Sequence, residues 1–202
     1  EILEATRRVH QLGLDIWELP KMGAKYDIGV DPSDGEGADF SCVDIWDRDS
    51  LHQVAQYYGK LRPDELAEIT AQFANYYNKA FVGVENNMLS TILFLSKIYD
   101  NYYFENKIDE KSLKRTKKIG WSTNIKTRDV MIDEFNIFFD EGHLTIRSRR
   151  TLGEMKTFVR KDNGKREHAD GKHDDALFGG FIAIQMRKFD RPRARVFENK
   201  PF

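Results

Sequence analysis

A short apolar run that ends in a carboxylate constrains this chain more than any other feature. Residues 28–30 are Ile-Gly-Val, Asp31 follows them directly, and a loop of Pro, Ser, Gly and acidic residues leads to a second apolar run at 42–46. The pattern predicts two β-strands joined by a loop. Core packing does not explain an acid at a strand end, because an ionised group is costly to bury unless it is paired or bound to a metal.

Two other acidic positions repeat this arrangement far along the chain. Glu85 follows the apolar run 81–84, and Asp174 and Asp175 precede an apolar segment that predicts a helix. Carboxylates suit the hard ions Mg²⁺ and Mn²⁺, and two such ions roughly 3.5–4 Å apart clamp the attacking water and the leaving oxygen of a phosphodiester. The three positions therefore predict metal-dependent phosphoryl chemistry.

The remaining patterns predict an α/β domain. Strands are predicted at 26–31, 40–47, 52–60, 81–84, 102–104 and 144–146, helices at 63–79, 88–98, 123–140 and from 174 onward, and a hairpin turn at 162–165. Residues 105–120 lack a clear period and are predicted to be an exposed loop, while 151–160 fit either a helix or a strand. The order implies a mixed sheet, antiparallel over its first three strands and parallel afterwards, flanked by helices.

Composition narrows the class of protein. The 202 residues carry a formal net charge of −1, so bulk charge indicates no partner, but basic residues cluster at 111–118, 147–150, 160–166 and 187–195. This segregation suits an anionic polymer beside an acidic centre, although ordinary solvated faces would look the same. A single cysteine, Cys42, excludes an intramolecular disulfide framework and a Cys-cluster zinc site. No apolar stretch reaches the length of a membrane span, so we expect a soluble intracellular protein.

Several ordered motifs resemble a known family. Segments 28–31, 81–87 and 171–176, together with Trp-Ser-Thr-Asn at 121–124 and Glu-Gly-His-Leu at 141–144, are similar to the nuclease domain of tailed-bacteriophage terminase large subunits. That domain has a ribonuclease-H-like fold, and the resemblance covers about 24–188. It implies a nuclease domain at 23–188, with an added β-hairpin, between an inter-domain linker or lead-in at 1–22 and a basic tail at 189–202.

The resemblance also implies roles for individual residues. In the family, the acids of the three motifs bind the metals and are catalytic, and they correspond here to Asp31, Glu85 and Asp174, with Asp175 and Asp39 assisting. The cofactors would be Mg²⁺ or Mn²⁺, with two ions bound. The substrate would be double-stranded concatemeric viral DNA, cut with little sequence preference in the host cytoplasm.

The implied partners follow from the same resemblance. They are an N-terminal ATPase domain of the same polypeptide, the portal and the small terminase subunit, and no membrane. The phosphate-binding motif G-x-x-x-x-G-K-[ST] of the ATPase half does not occur in the chain, so the resemblance concerns the nuclease half alone.

Basic side chains near these motifs are candidates for DNA contacts that would be indifferent to sequence and weakened by salt. The candidates are Arg160, Lys161, Lys165 and Arg166 on the arms of the predicted hairpin, Lys117 and Lys118 in the lysine-rich segment, and Arg128. The hairpin is either such a DNA contact or a solvated edge. Asn86 and Asn87 follow the second acid and are predicted to bond its carboxylate, to contact the DNA backbone or to form a turn.

Two rival functions stay open at this stage. A Holliday-junction resolvase or transposase-like nuclease of the same fold would share the acids and differ in the DNA geometry that it accepts. A DNA-binding or motor-docking module with a vestigial acidic site would bind DNA without cutting it.

Overall fold

The computed structural model describes residues 13–35, 39–108 and 115–189, with only the backbone described at 106–108, 115–117 and 125–126. The predicted tail beyond 189, most of the predicted linker and the side chain of Lys117 lie outside this description. The strands are β1 (Leu14–Ile16), β2 (Tyr26–Asp31), β3 (Ser41–Asp47), β4 (Gln53–Gly59), β5 (Phe81–Val84), β6 (Phe104–Ile108), β7 (Arg115–Ile119), β8 (Phe158–Arg160) and β9 (Arg166–His168). The helices are α1 (Pro63–Tyr76), α2 (Leu89–Ile98), α3 (Ile125–Asp140), α4 (Arg149–Thr157) and α5 (Asp175–Met186).

The main sheet has five strands in the order β1-β4-β3-β2-β5. β2, β3 and β4 form an antiparallel meander, and β5 pairs with β2 in parallel, with Val30 opposite Val84. The predicted mixed sheet is confirmed. β1, which comes from the predicted lead-in, pairs with β4 and places Leu14 opposite Tyr57. The division of the chain at residue 22 stays a prediction.

The alternation of side chains along the strands produces two cores, one on each face of the sheet. Ile28, Val30 and Val82 pack with residues of α1 and α2 on one face. On the other face, Trp46 and Phe81 pack with residues of α3 and α5. Asp31 directs its side chain to this second face, because it lies one residue beyond Val30 in the strand.

Helix α5 lies unusually close to the centre of the sheet. A Cβ atom added to Gly29 would lie 1.9 Å from the carbonyl oxygen of Gly179 and 2.5 Å from the amide nitrogen of Ala183. No larger residue than glycine fits at this position of β2. The close approach brings the start of α5 to the edge of the sheet where β2 ends.

Three sequence-based predictions differ from the structure. The predicted loop at 105–120 is wrong, because β6 and β7 form an antiparallel hairpin in which Glu105 lies opposite Lys118. Most residues of these two strands are polar, so the apolar alternation is weak and periodicity misses it. Residues 144–146 are not a strand, since only Thr145 makes an isolated bridge, to His52. Tyr102 likewise makes an isolated bridge, to Val82, and the strand begins at Phe104.

The segment that fitted either helix or strand contains both. Residues 149–157 form α4 and 158–160 form β8, which pairs with β9 across the predicted turn. The predicted hairpin is therefore confirmed. In the stretches of chain that the structure describes, no helix has the length and apolar character needed to cross a membrane.

Candidate active site

The acids that the sequence placed at element ends lie around one open cavity of about 330 Å³. Its lining includes the carboxylates Asp31, Asp34, Asp39, Glu85, Asp174 and Asp175, together with Asn87 and Arg128. We refer to Asp31, Glu85, Asp174 and Asp175 as the acidic centre. The structure thus brings together every acid that the sequence proposed as a ligand, although Asp39 is exposed at the rim.

Parallel pairing of β2 and β5 places the first two acids side by side. Val30 and Val84 are register partners, so Asp31 and Glu85 follow them at the same edge of the sheet. The backbone amide of Glu85 also donates to the carbonyl of Val30 at 2.9 Å. Asn87 lies between the two carboxylates, and its Nδ2 donates to Oε2 of Glu85 at 2.9 Å and to Oδ1 of Asp31 at 3.4 Å.

Helix α5 supplies the other two acids from its first turn. Asp174 is the N-cap residue, and Nη2 of Arg128 lies 3.4 Å from its Oδ2. The guanidinium of Arg128 in turn rests 4.2 Å above the ring of Phe178. Asp175 accepts a hydrogen bond from the hydroxyl of Tyr58, at 3.2 Å from Oδ2. The adjacent carboxylates are therefore held by different partners.

The electrostatics of the cavity favour a cation. Asp31 is 9 % exposed, and burial raises its pKa well above the usual range, with Glu85, Asp175 and Asp174 adding to the rise through their negative charges. Burial raises the pKa of Asp175 as well, although the hydrogen bond from Tyr58 opposes this. Like charges in a partly desolvated site disfavour ionisation until a positive charge offsets them.

The donor set fits a hard divalent ion. Its members are carboxylate oxygens, which Mg²⁺ and Mn²⁺ prefer, and the imidazole of His173 lies beside them, with Nδ1 3.7 Å from Oδ2 of Asp175. As the side chains stand, no group of three or more His, Cys, Asp or Glu residues within the described ranges is arranged to hold an ion. Binding would therefore require the carboxylates of the acidic centre to move closer together within the cavity.

Glu154 is a residue of this region that the sequence did not single out. It projects from α4, is 7 % exposed, and its Oε2 accepts a hydrogen bond from the amide of Leu177 at 2.8 Å, while its Oε1 has no partner among the described residues. Burial raises its pKa to about 8, and the charges of Asp175 and Asp174 add to the rise. Because the first amides of a helix lack partners within the helix, Glu154 helps to fix the turn that carries both aspartates.

Nothing local in the sequence marks Glu154, because the segment around it fitted both helix and strand. Tyr58 was missed for a different reason: a tyrosine next to another aromatic residue is usually part of a core or a sheet surface. Its contact with Asp175 spans 117 positions of the chain.

Three of the four proposed DNA-contacting residues of the β8–β9 hairpin pair with acids. Arg166 pairs with Asp129 at 2.7 Å and also with Asp133, which fastens the hairpin to α3. Lys161 pairs with Asp170, and Lys165 pairs with Glu167.

The other candidates differ in their surroundings. Arg160 is exposed and donates to the carbonyl of Gly164 at 3.3 Å, Lys118 lies on β7, and Arg128 contacts Asp174. A role in DNA binding stays a prediction for all of them.

Comparison with known proteins identifies the fold. No family model and no curated protein matches the sequence. The five-stranded mixed sheet with its flanking helices is the ribonuclease-H-like fold found in viral terminase nucleases.

Nuclease domains of phage large terminases are among the solved structures that resemble this chain. The enzyme of thermophilic phage G20c with bound magnesium is 14% identical over 86% of this chain and 87% of that chain, with a TM-score of 0.70. The domain of Thermus phage P74-26 is 15% identical over 89% and 88%, with a TM-score of 0.66. The g2p nuclease domain of bacteriophage SPP1 with bound Mn is 15% identical over 80% and 85%, with a TM-score of 0.51. At these identities the likeness establishes a shared fold.

Proposed function

We propose that this chain is a metal-dependent endonuclease domain that hydrolyses phosphodiester bonds of double-stranded DNA. The observation that carries the proposal is the acidic centre, in which four carboxylates from three distant segments line one cavity, with Arg128 as the basic residue of the lining. Burial raises the pKa of Asp31, and the negative charges of Glu85, Asp175 and Asp174 raise it further, so the acids form a cluster of like charges that a cation would offset. Similarity to nuclease structures that hold magnesium or Mn supports the same conclusion.

The residues around the cavity would bind the ions or orient the residues that do. Asp31, Glu85, Asp174 and Asp175 would hold the ions, with Asp39 at the rim. The ions would lower the pKa of the attacking water and offset charge on the leaving oxygen. Arg128 holds Asp174, and Tyr58 holds Asp175, so the two aspartates are oriented before an ion binds.

The biological setting is proposed from the similarity to phage terminases. In that setting the chain would cut concatemeric viral DNA in the host cytoplasm. It would work beside an ATPase domain of the same polypeptide, with the portal and the small terminase subunit as partners. The exposed Arg160 and the lysines of β7 would contact phosphates without reading bases, so cutting would show little sequence preference and would weaken with salt.

The test is cleavage of supercoiled plasmid with Mg²⁺ or Mn²⁺, comparing the wild type with Asp31→Asn. We expect nicking and linearisation by the wild type, abolished by chelation and lost in the variant, because the neutral amide is a weaker ligand in the same shape. Equal cutting by both proteins would remove Asp31 from the site. Binding without cutting by the wild type, with either ion, would favour the DNA-binding or motor-docking module.

A second substrate separates the proposal from the resolvase or transposase-like alternative. Linear duplex and a four-way junction of the same sequence composition should be cut at similar rates by a terminase-like nuclease. Strong preference for the junction would assign the chain to the rival class.

A further inference from the structure

Asn87 occupies the position between the first two acids of the centre. Its Nδ2 donates to Oε2 of Glu85 at 2.9 Å and to Oδ1 of Asp31 at 3.4 Å. One amide group thus contacts two carboxylates that come from different strands. A cation shared by these carboxylates would compete with the N–H groups of Asn87 for the same oxygens.

The other end of the Asn87 side chain is uncommitted. Within the described part of the chain, Oδ1 of Asn87 accepts no hydrogen bond, and the residue is exposed at the rim of the cavity. The terminal torsion of asparagine is broad and roughly two-fold, and a half-turn exchanges the nitrogen and the oxygen. Rotation therefore needs no change in the backbone and breaks only the two bonds to the acids.

The neighbouring asparagine lacks this freedom. The backbone amide of Asn86 donates to the carbonyl of Trp121 at 2.8 Å, and its Nδ2 lies 3.1 Å from Oγ of Ser122. Asn86 joins β5 to the segment at 121–122, and within the described ranges its side chain makes no hydrogen bond to the acidic centre. The two residues have the same chemistry and different surroundings, so Asn86 is a matched control.

We propose that Asn87 is an oxygen ligand of the divalent cation held between Asp31 and Glu85, with its amide turned over from the position that it takes without metal. This inference rests on the proposed function. Without metal, the N–H groups offset part of the negative charge of the two acids. With metal, the carbonyl oxygen joins the carboxylates, since amide oxygens are ordinary ligands of hard cations. The amide thereby adds an oxygen ligand to those of the two carboxylates.

Calorimetric titration of Mn²⁺ into DNA-free protein tests the proposal without depending on activity. We expect Asn87→Ala to weaken Mn²⁺ binding by about tenfold or more, the order seen when groups supporting a metal site are removed. Asn87→Asp keeps an oxygen and should bind Mn²⁺ at least as tightly as the wild type. Asn86→Ala should leave the affinity unchanged.

The outcomes separate this inference from the proposed function. If the wild type binds no Mn²⁺, the proposed function fails. If the wild type binds Mn²⁺ and Asn87→Ala binds it equally or more tightly, Asn87 serves only as an N–H donor and this inference alone fails. Loss of binding in Asn87→Asp would overturn it as well. A Mn²⁺-bound crystal structure should show Oδ1 of Asn87 within about 2.6 Å of the ion.

Discussion

Asp31 and Asp44 are buried carboxylates on neighbouring strands and on the same face of the sheet, yet their surroundings are opposite. Asp44 is fully buried and accepts hydrogen bonds from Nε1 of Trp46 at 2.9 Å and Nε2 of Gln53 at 2.8 Å. Burial raises its pKa to about 7, and these neutral donors limit the rise. Asp31 receives one long bond from an asparagine and otherwise meets carboxylates.

The surroundings of Asp44 extend into a polar network that positions α4. Gln53 also accepts from the amide of Ser148 at 2.8 Å, and Gln56 accepts from the hydroxyl of Ser148 at 2.8 Å. Ser148 is the N-cap of α4, the helix that carries Glu154. A buried acid whose oxygens accept hydrogen bonds therefore stabilises the fold. A buried acid that faces other acids indicates a site where a cation can bind.

The largest expected effect is the loss of cleavage activity on substitution of Asp31. Asp31→Asn should lower metal-dependent cleavage by about a thousandfold or more, since a metal contributes several kcal/mol to the transition state. The metal-free variant should be at least as stable to heat as the wild type, because the substitution removes one charge from a cluster of like charges. Plasmid cleavage and thermal unfolding in chelator measure both. A large fall in the metal-free melting temperature would show that Asp31 is a structural acid like Asp44.

For Asp44→Ala we expect a loss of stability and no loss of metal binding. This substitution leaves the indole of Trp46 and the amide of Gln53 without their buried acceptor, and it should lower the free energy of unfolding by about 3 kcal/mol. Urea denaturation measures the loss. Mn²⁺ affinity of the folded variant should stay close to that of the wild type, and a selective loss of metal binding would end the distinction between the two acids.

Glu154 has one hydrogen-bonded oxygen and lies near the acidic centre, so it is intermediate between Asp44 and Asp31. Its contribution to the free energy of unfolding depends on pH. Burial raises the pKa of Glu154 from 4.5 to about 8, so between these values the folded state holds a proton that the unfolded state has released. The free energy of unfolding should therefore fall as pH rises through this window, by up to about 1.4 kcal/mol per pH unit.

Glu154→Gln should flatten this part of the stability curve, measured as urea midpoints of the metal-free protein from pH 5 to 8. The exposed substitution Glu68→Gln on α1 is the control and should leave the slope unchanged. Asp44 contributes a fall of the same sign, so the comparison rests on the difference between variant and wild type. Identical slopes would show that Glu154 is ionised in the folded protein.

The smallest effect concerns the orientation of Asp175. Tyr58→Phe removes one hydrogen bond, worth about 1 kcal/mol, and should lower the cleavage rate by about three- to tenfold with little change in DNA affinity. Cleavage rates over a series of Mg²⁺ concentrations measure it. The exposed Tyr76→Phe serves as the control. If Tyr58→Phe cuts at the wild-type rate, Asp175 needs no partner to keep its orientation.

Local patterns were sufficient for much of the fold. Strands β2, β3, β4 and β5 were predicted within about a residue, because each is an apolar run bounded by turn residues. The proximity of Asp31 and Glu85 also followed from sequence, since parallel neighbours end at one edge of a sheet. The hairpin of β6 and β7 was missed because its strands are polar and carry no apolar period.

Local sequence patterns could not predict which side chains pair with one another. The sequence showed that Arg166 and Lys161 are positively charged. It did not show that Arg166 pairs with Asp129 of α3 or that Lys161 pairs with Asp170. Nor did sequence distinguish Asp44 from Asp31, since both are acids in or beside apolar runs. Partners decide what a buried charge does, and these partners come from other elements.

The sequence by itself determined where strands β2 to β5 run and which acids follow two of them, because burial imposes a short-range period on the chain. Tertiary structure alone decided that Asn87 bridges two carboxylates, that Tyr58 reaches Asp175, and that Glu154 fixes the turn carrying the last aspartates. The contacts of Tyr58 and Glu154 with the first turn of α5 depend on the close approach of that helix to Gly29. The positions of hydrogen-bonding atoms to within a few tenths of an ångström follow from packing rather than from any local pattern.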